Sequence, residues 1–183
     1  WWSGWDGSGQ DLTSPSEESG VVRARRKRLR YDEGDWFAVP LPSGGYALGV
    51  VARVRRGILL GYFFRPRRKK IPVFNKRITS LSASDAILCS LCGDLGIIEG
   101  EWPILGKDPN WDRKRWPMPI FTGQDPLSEV ITAVRYDEST LQEVDSYRVA
   151  ELGEHADGLA GSGFVEELLD ARLGGQGRRG ESC

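Results

Sequence analysis

Asp35-Trp36-Phe37-Ala38-Val39-Pro40-Leu41, then Pro42-Ser43-Gly44-Gly45, then Tyr46-Ala47-Leu48-Gly49-Val50-Val51-Ala52-Arg53-Val54, is the passage from which the fold is read. Phe37, Val39 and Leu41 alternate with Trp36, Ala38 and Pro40, a period of two that belongs to a strand. The Pro-Ser-Gly-Gly run supplies turn-permissive backbone, so the chain is expected to double back as a hairpin. On the return run the alternation places Tyr46, Leu48, Val50, Ala52 and Val54 on one face. Arg55-Arg56-Gly57 turns the chain once more into Ile58 to Phe64, which predicts a three-stranded antiparallel meander.

Outward from that meander the pattern becomes less regular. Arg65 to Lys70, with Pro66 and five cations, reads as a solvated loop, and Ile71-Pro72-Val73-Phe74 as at most a short edge strand. Ser84 to Leu95 admits two readings: Ile87, Leu88, Leu91 and Leu95 fit a helical face, while the apolar density also suits a buried strand. A short helix is the expectation. Gly96 to Phe121 mixes Gly and Pro with Trp102, Trp111 and Trp116, contains no expected strand longer than Trp102 to Leu105, and should be an irregular loop pinned to the sheet by its aromatic rings. Val130 to Tyr136 and Glu143 to Val149 predict a second hairpin around Asp137-Glu138-Ser139. Ser162 is expected to cap a helix from Gly163 to Leu173, with Glu166 and Glu167 in its opening turn and Arg172 near its close. Residues 1–29 read as a mobile arm, 30–173 as one domain and 174–183 as a disordered tail. The expected class is α+β, β-dominated, with a curved antiparallel sheet (meander) and a C-terminal helix.

Composition bounds the function. The 183 residues are 39% hydrophobic and 28% charged, which suits a chain that buries one ordinary core. No apolar run reaches the roughly 18 residues of a membrane-spanning helix, and no basic-then-apolar leader precedes the polar arm, so a cytoplasmic location is expected. The three cysteines, Cys89, Cys92 and Cys183, do not form a disulfide framework. Cys89 and Cys92 have the spacing of zinc and redox motifs, yet a zinc site needs about four ligands and His155 is the only histidine, so both thiols read as small core hydrophobes and no metal is expected. The net charge is −1, but the first 80 residues hold 16 basic and 7 acidic side chains against 9 and 19 in the rest. Two surfaces of opposite sign, or two halves facing each other, follow from that asymmetry.

Catalytic patterns are wanting. His155 lies in the acidic stretch Glu151 to Asp157, no nucleophile elbow or phosphate-binding glycine motif occurs, and the neighbouring Glu99 and Glu101 read as solvated acids. No catalytic residue and no cofactor are assigned. The basic segments Arg23 to Arg30, Arg53 to Arg56 and Arg65 to Lys70, interleaved with Trp36, Tyr62, Phe63 and Phe64, leave nucleic-acid or ribosome binding as an alternative function.

Two ordered blocks carry a resemblance. Gly34-Asp35-Trp36-Phe37-Ala38-Val39-Pro40-Leu41-Pro42 with Gly45-Tyr46-Ala47-Leu48-Gly49-Val50-Val51 is the first. Gly100-Glu101-Trp102-Pro103-Ile104-Leu105-Gly106-Lys107, Trp116-Pro117-Met118-Pro119-Ile120-Phe121 and Gln124-Asp125-Pro126-Leu127 make the second. Together they resemble the immunity protein 26 family of bacterial polymorphic toxin systems, over about Arg30 to Arg148 and more weakly from Gly158 to Leu173. None of the shared residues is chemically reactive, so Gly34, Asp35, Pro40, Gly49, Trp102 and Gly106 are read as a fold signature. The resemblance implies a cytoplasmic protein without cofactor that binds a cognate secreted or contact-delivered toxin domain and protects the cell that makes it. The partner surface expected on this basis is Glu99 to Trp116: Trp102, Trp111 and Trp116 as anchors, with Glu99, Glu101, Asp108 and Asp112 as an acidic surround suited to a basic cleft.

Overall fold

In the computed structural model, residues 30–174 are described, and the expectations for the arm and for residues 175–183 lie outside them. The predicted meander is present as β1 (Asp35–Pro40), β2 (Tyr46–Arg55) and β3 (Ile58–Arg68). β1 and β2 pair antiparallel from Trp36↔Val50 to Pro40↔Tyr46, and the reversal between them is made by Gly44 and Gly45 at φ +93° and +83°, a region open to glycine. β3 continues through Arg68, so the expected loop at Arg65 to Lys70 is corrected: Arg68 pairs with Tyr46, and Arg67 is drawn down onto Asp170 and Ser43. Beyond it, Ile71 to Phe74 forms no strand. Pro72 interrupts the run, and the Phe74 ring packs over Gly106 while leaning on the core beneath. The short helix α1 (Lys76–Thr79) follows, capped by the Asn75 carboxamide.

The largest correction falls on Ser84 to Leu95. Its body is a strand, β4 (Ala86–Gly93), entered by a 3-10 turn at Ala83–Asp85 and left by the short helix α2 (Leu95–Ile98). Both faces of β4 are covered. Leu88 and Cys92 join one core while Cys89 and Leu91 join the other, so the strand shows the continuous apolar run of a doubly buried strand and no alternation to betray it.

The remaining strands are β5 (Ile104–Lys107), β6 (Phe121–Gln124), β7 (Ile131–Tyr136), β8 (Glu143–Val149) and β9 (Leu159–Ala160), followed by α3 (Ser162–Gly174). The strand expected at Trp102 to Leu105 thus starts two residues later, against β1. Ser162 is the first residue of α3 and not its cap, and Glu166 falls beyond the opening turn, where its carboxylate accepts from Trp102 Nε1 at 2.7 Å. Six strands form the main sheet in the order β5-β1-β2-β3-β4-β9, and β6-β7-β8 form a smaller one.

The main sheet has a core on each face. On one, Trp36, Leu48, Val50, Leu60, Tyr62 and Phe64 lie under Trp116, Phe121 and Leu141 of the loop and the small sheet. On the other, Phe37, Val39, Val51, Leu59 and Phe63 lie under Trp102, Ile97 and the α3 residues Val165 and Leu169. The small sheet and α3 are joined by a connector that pairs with both sheets: Thr122 N–H donates to His155 O, Asp157 N–H donates to Thr122 O, and Leu159–Ala160 then run parallel to Leu91–Cys92.

Candidate functional site

A bulge in β2 sets a buried cation in the main sheet. The register steps from Val51↔Gly61 to Arg53↔Leu60, so Ala52 is the extra residue. Strict alternation would put Val54 with Val50 and Ala52; the bulge instead aims Arg53 at that face and sends Val54 to the opposite core. Arg53 is 1% exposed. Its guanidinium donates to Ala52 O at 2.8 Å, to Arg113 O at 3.4 Å and to Glu138 Oε2 at 2.5 Å. Arg113 in turn grips Glu33 with two bonds of 3.0 and 2.8 Å and donates to Glu138 O at 3.1 Å. Buried guanidinium, tryptophan loop and β7–β8 turn are thereby clamped together. Nothing in the sequence marks this network, since it depends on the bulge.

The residues expected to contact a partner divide between the two faces of the sheet. Trp102, fully buried, stacks on Phe37 at 5.5 Å and 2° on the α3 side. Trp116, also fully buried, meets Trp36, Tyr62 and Phe64 edge-on on the other side, and Trp111 stacks on it at 5.7 Å. Trp102 and Trp116 are therefore core, and the expectation that they anchor a partner is corrected. Asp108 is buried as well, its Oδ1 accepting from Asn110 N and Arg115 standing 4.0 Å from its Oδ2. Glu99, Glu101 and Asp112 are exposed, and Trp111 is half-buried. Glu99 and Glu101 do not share a strand side, because the chain turns between them at Gly100 with φ +82°. Asp112 caps the 3-10 turn Arg113–Arg115 by accepting from Lys114 N at 3.0 Å.

The signature residues each have a packing reason. Gly34, at φ +86°, lies flat against the Trp111 ring, Gly49 against Phe37, and Gly106 against Phe74. Asp35 opens β1 and accepts from Asp32 N at 2.7 Å; its burial raises its pKa. Pro40 ends β1 at the hairpin.

Reactive groups are dispersed. Cys89 and Cys92 point into different cores, because residues three apart on a strand face opposite ways, and burial pushes the Cys89 thiol up to about 12. Such a thiol stays protonated and unreactive at neutral pH. His155 packs against Phe121 at 6.2 Å. Among the described residues, no group of three or more His, Cys, Asp or Glu side chains converges as metal ligands would.

Two surfaces stand out. Arg65, Arg67, Arg68, Lys69, Lys70, Lys76 and Arg77 follow one another without an intervening acid, and among the described residues only Arg67 of these makes an ion pair. Along the edge of β4, two cavities of about 230 and 250 Å³ flank the strand.

No helix of the described residues is long and apolar enough to cross a membrane. No curated protein and no solved structure matches the chain. A family model does: immunity protein 26, over residues 32–130, more than half of the chain and all of β1 to β6. With the signature glycines and Trp102 inside that match and all committed to packing, the chain belongs to the immunity protein 26 family.

Proposed function

We propose that this protein binds a cognate toxin domain and neutralises it by covering the surface the toxin needs, acting through shape and charge without chemistry of its own. Membership in the immunity protein 26 family carries the reading. The burial of its thiols supports it, because Cys89 and Cys92 lie in separate cores and burial keeps both protonated. Glu99, Glu101, Asp112 and Trp111 are the members of the expected contact surface that a partner can reach, and the three carboxylates would speed encounter with a basic toxin by steering. A location in the cytoplasm of the producing cell follows from that role.

The test is a titration of the purified protein with the toxin domain encoded by the neighbouring gene, its catalytic residues disabled. Nanomolar binding, about 12 kcal/mol, and loss of the active toxin's lethality on co-expression are expected. Absence of both would sink the reading. A second reading, nucleic-acid or ribosome binding, draws on the acid-free run of cations from Arg65 to Arg77. Retention on RNA that falls steeply with salt, with no toxin binding, would favour it.

A further inference from the structure

Between the end of β3 and the start of α1 the chain forms a cationic tip. No acidic residue occurs from Arg65 to Ser84, and Arg65, Lys69, Lys70, Lys76 and Arg77 are exposed and make no ion pair among the described residues. Like charges so close along a chain repel one another, and an anionic surface would relieve that repulsion.

Ile71-Pro72-Val73-Phe74 crosses the middle of these cations with alternating burial. Phe74 packs over Gly106 and against the core and Pro72 is half-buried, whereas Ile71 is 46% and Val73 81% exposed. The main chain holds that orientation: the Asn75 carboxamide donates to Val73 O at 2.9 Å and accepts from Arg77 N at 2.9 Å, so Lys76 and Arg77 open α1 close behind Val73. Past the helix, Arg115 donates to Leu81 O at 3.0 Å and ties this region to the tryptophan loop. Two aliphatic side chains are thus set outward on an anchored loop, with cations before and after them. Exposed aliphatics scattered singly are ordinary; a pair held out within an acid-free cationic stretch marks a contact surface.

Nucleic acid and lipid headgroups both attract cations, and the other side chains of the tip separate the two. Single strands are held by aromatic rings on which bases stack, and the only ring between Arg65 and Arg77, Phe74, is turned inward. Aliphatic groups gain little from a phosphate backbone, but they gain by entering the acyl boundary of a bilayer while neighbouring lysines and arginines stay among the headgroups. We propose that the Lys69–Arg77 tip docks on the surface of an anionic phospholipid bilayer. Lys69, Lys70, Lys76 and Arg77, with Arg65 behind them, meet the headgroup anions, and Ile71 and Val73 enter the interface. Such a contact lies on the membrane and asks for no spanning helix. It stands apart from the neutralisation reading and does not rest on it.

The experiment is flotation of the full chain with vesicles of phosphatidylcholine alone, and of phosphatidylcholine and phosphatidylglycerol in equal parts, at about 0.1 M salt. Wild type is compared with the double variants Ile71→Ser/Val73→Ser and Lys69→Glu/Lys70→Glu, and retention on single-stranded RNA is measured beside it. All four side chains are exposed, so the melting temperature should hardly move. Wild type should bind the anionic vesicles at least about tenfold more tightly than the neutral ones, and each double variant should lose at least about tenfold of that binding. The serine pair leaves the charge unchanged, so its loss is the outcome peculiar to a lipid contact. Wild type that does not distinguish the two vesicles overturns the proposal. So does a serine variant that binds anionic vesicles as wild type does, because the tip then reads charge alone; RNA retention that survives the serines and is lost with the glutamates would in that case give it to nucleic acid. If wild type ignores vesicles and either variant weakens binding of the catalytically disabled toxin domain, the proposal falls and the tip belongs to the toxin contact.

Discussion

Gly49 lies in β2 with an ordinary strand backbone, yet a methyl group on it would come within 2.6 Å of the Phe37 ring. That ring has nowhere to go: it is stacked on Trp102 at 5.5 Å and set edge-on to Phe63 at 5.9 Å. Gly49→Ala should therefore lower stability by about 1–3 kcal/mol, the usual range for an overpacked core, read as a reduced urea midpoint at unchanged slope. Gly163 in α3 supplies the comparison, since nothing lies within 4 Å of the added methyl; Gly163→Ala should be neutral or slightly stabilising. Equal losses at the two positions would mean that the Phe37–Trp102 stack yields, and the packing account of the signature glycine would be wrong. At this scale the sequence exposes identity but not depth. Tryptophan serves cores and interfaces alike, so Trp102 and Trp116 could be read as anchors until their burial was known.

Among the elements, the β7–β8 turn depends most on a single ionised group. Asp137 Oδ1 accepts from Ser139 N–H and O–H and from Thr140 N–H and O–H at 2.6 to 3.0 Å, and these donors hold its pKa down to about 2. A carboxylate with a folded pKa below its unfolded value stabilises fully above the ordinary aspartate range, and that contribution disappears as pH falls through the range to about 2. The turn is expected to loosen between pH 4 and pH 2, seen as faster exchange of the Ser139 and Thr140 amides, roughly as fast at pH 4 in Asp137→Ala as in wild type at pH 2. If the wild-type amides exchange no faster on acidification, after correction for intrinsic rates, the turn owes its order to the neighbouring Arg53–Glu138 bond instead. This hairpin and the meander were legible because their signals are local: two periods of two and turn residues between them. β4 was not, because a strand buried on both faces has no polar beat to count. β6 and β9 were not, because strands of four and two residues are defined by distant pairing partners and hardly at all by their own composition. The bulge that turns Arg53 inward belongs with them, being a property of the pair of strands.

For the whole molecule the question is whether the two covers of the main sheet stand or fall together. The family match ends at residue 130, ahead of β7, while α3 lies far beyond it. By the span of that match α3 would count as an appendage; by contact it does not. Val165 and Leu169 are fully buried against Phe37, Phe63 and Trp102, Glu166 takes the Trp102 indole N–H, and Asp170 binds both Ser43 of the β1–β2 turn and Arg67 of β3. On the opposite face Leu141 and Phe121 occupy the matching place, with Arg53 tying the β7–β8 turn down. One sheet is thus shared by both cores, and loss of either cover leaves its aromatic rows in water. Leu169→Ala and Leu141→Ala should each cost about 2–5 kcal/mol of global stability, with tryptophan fluorescence and far-ultraviolet circular dichroism still unfolding in one coincident transition. A first transition in Leu169→Ala that changes ellipticity alone would show α3 detaching from an otherwise folded sheet. In that event the cavity beside β4, whose wall includes Phe164 and Leu168, would open and close with the helix, and amide exchange in β4 would follow helix stability.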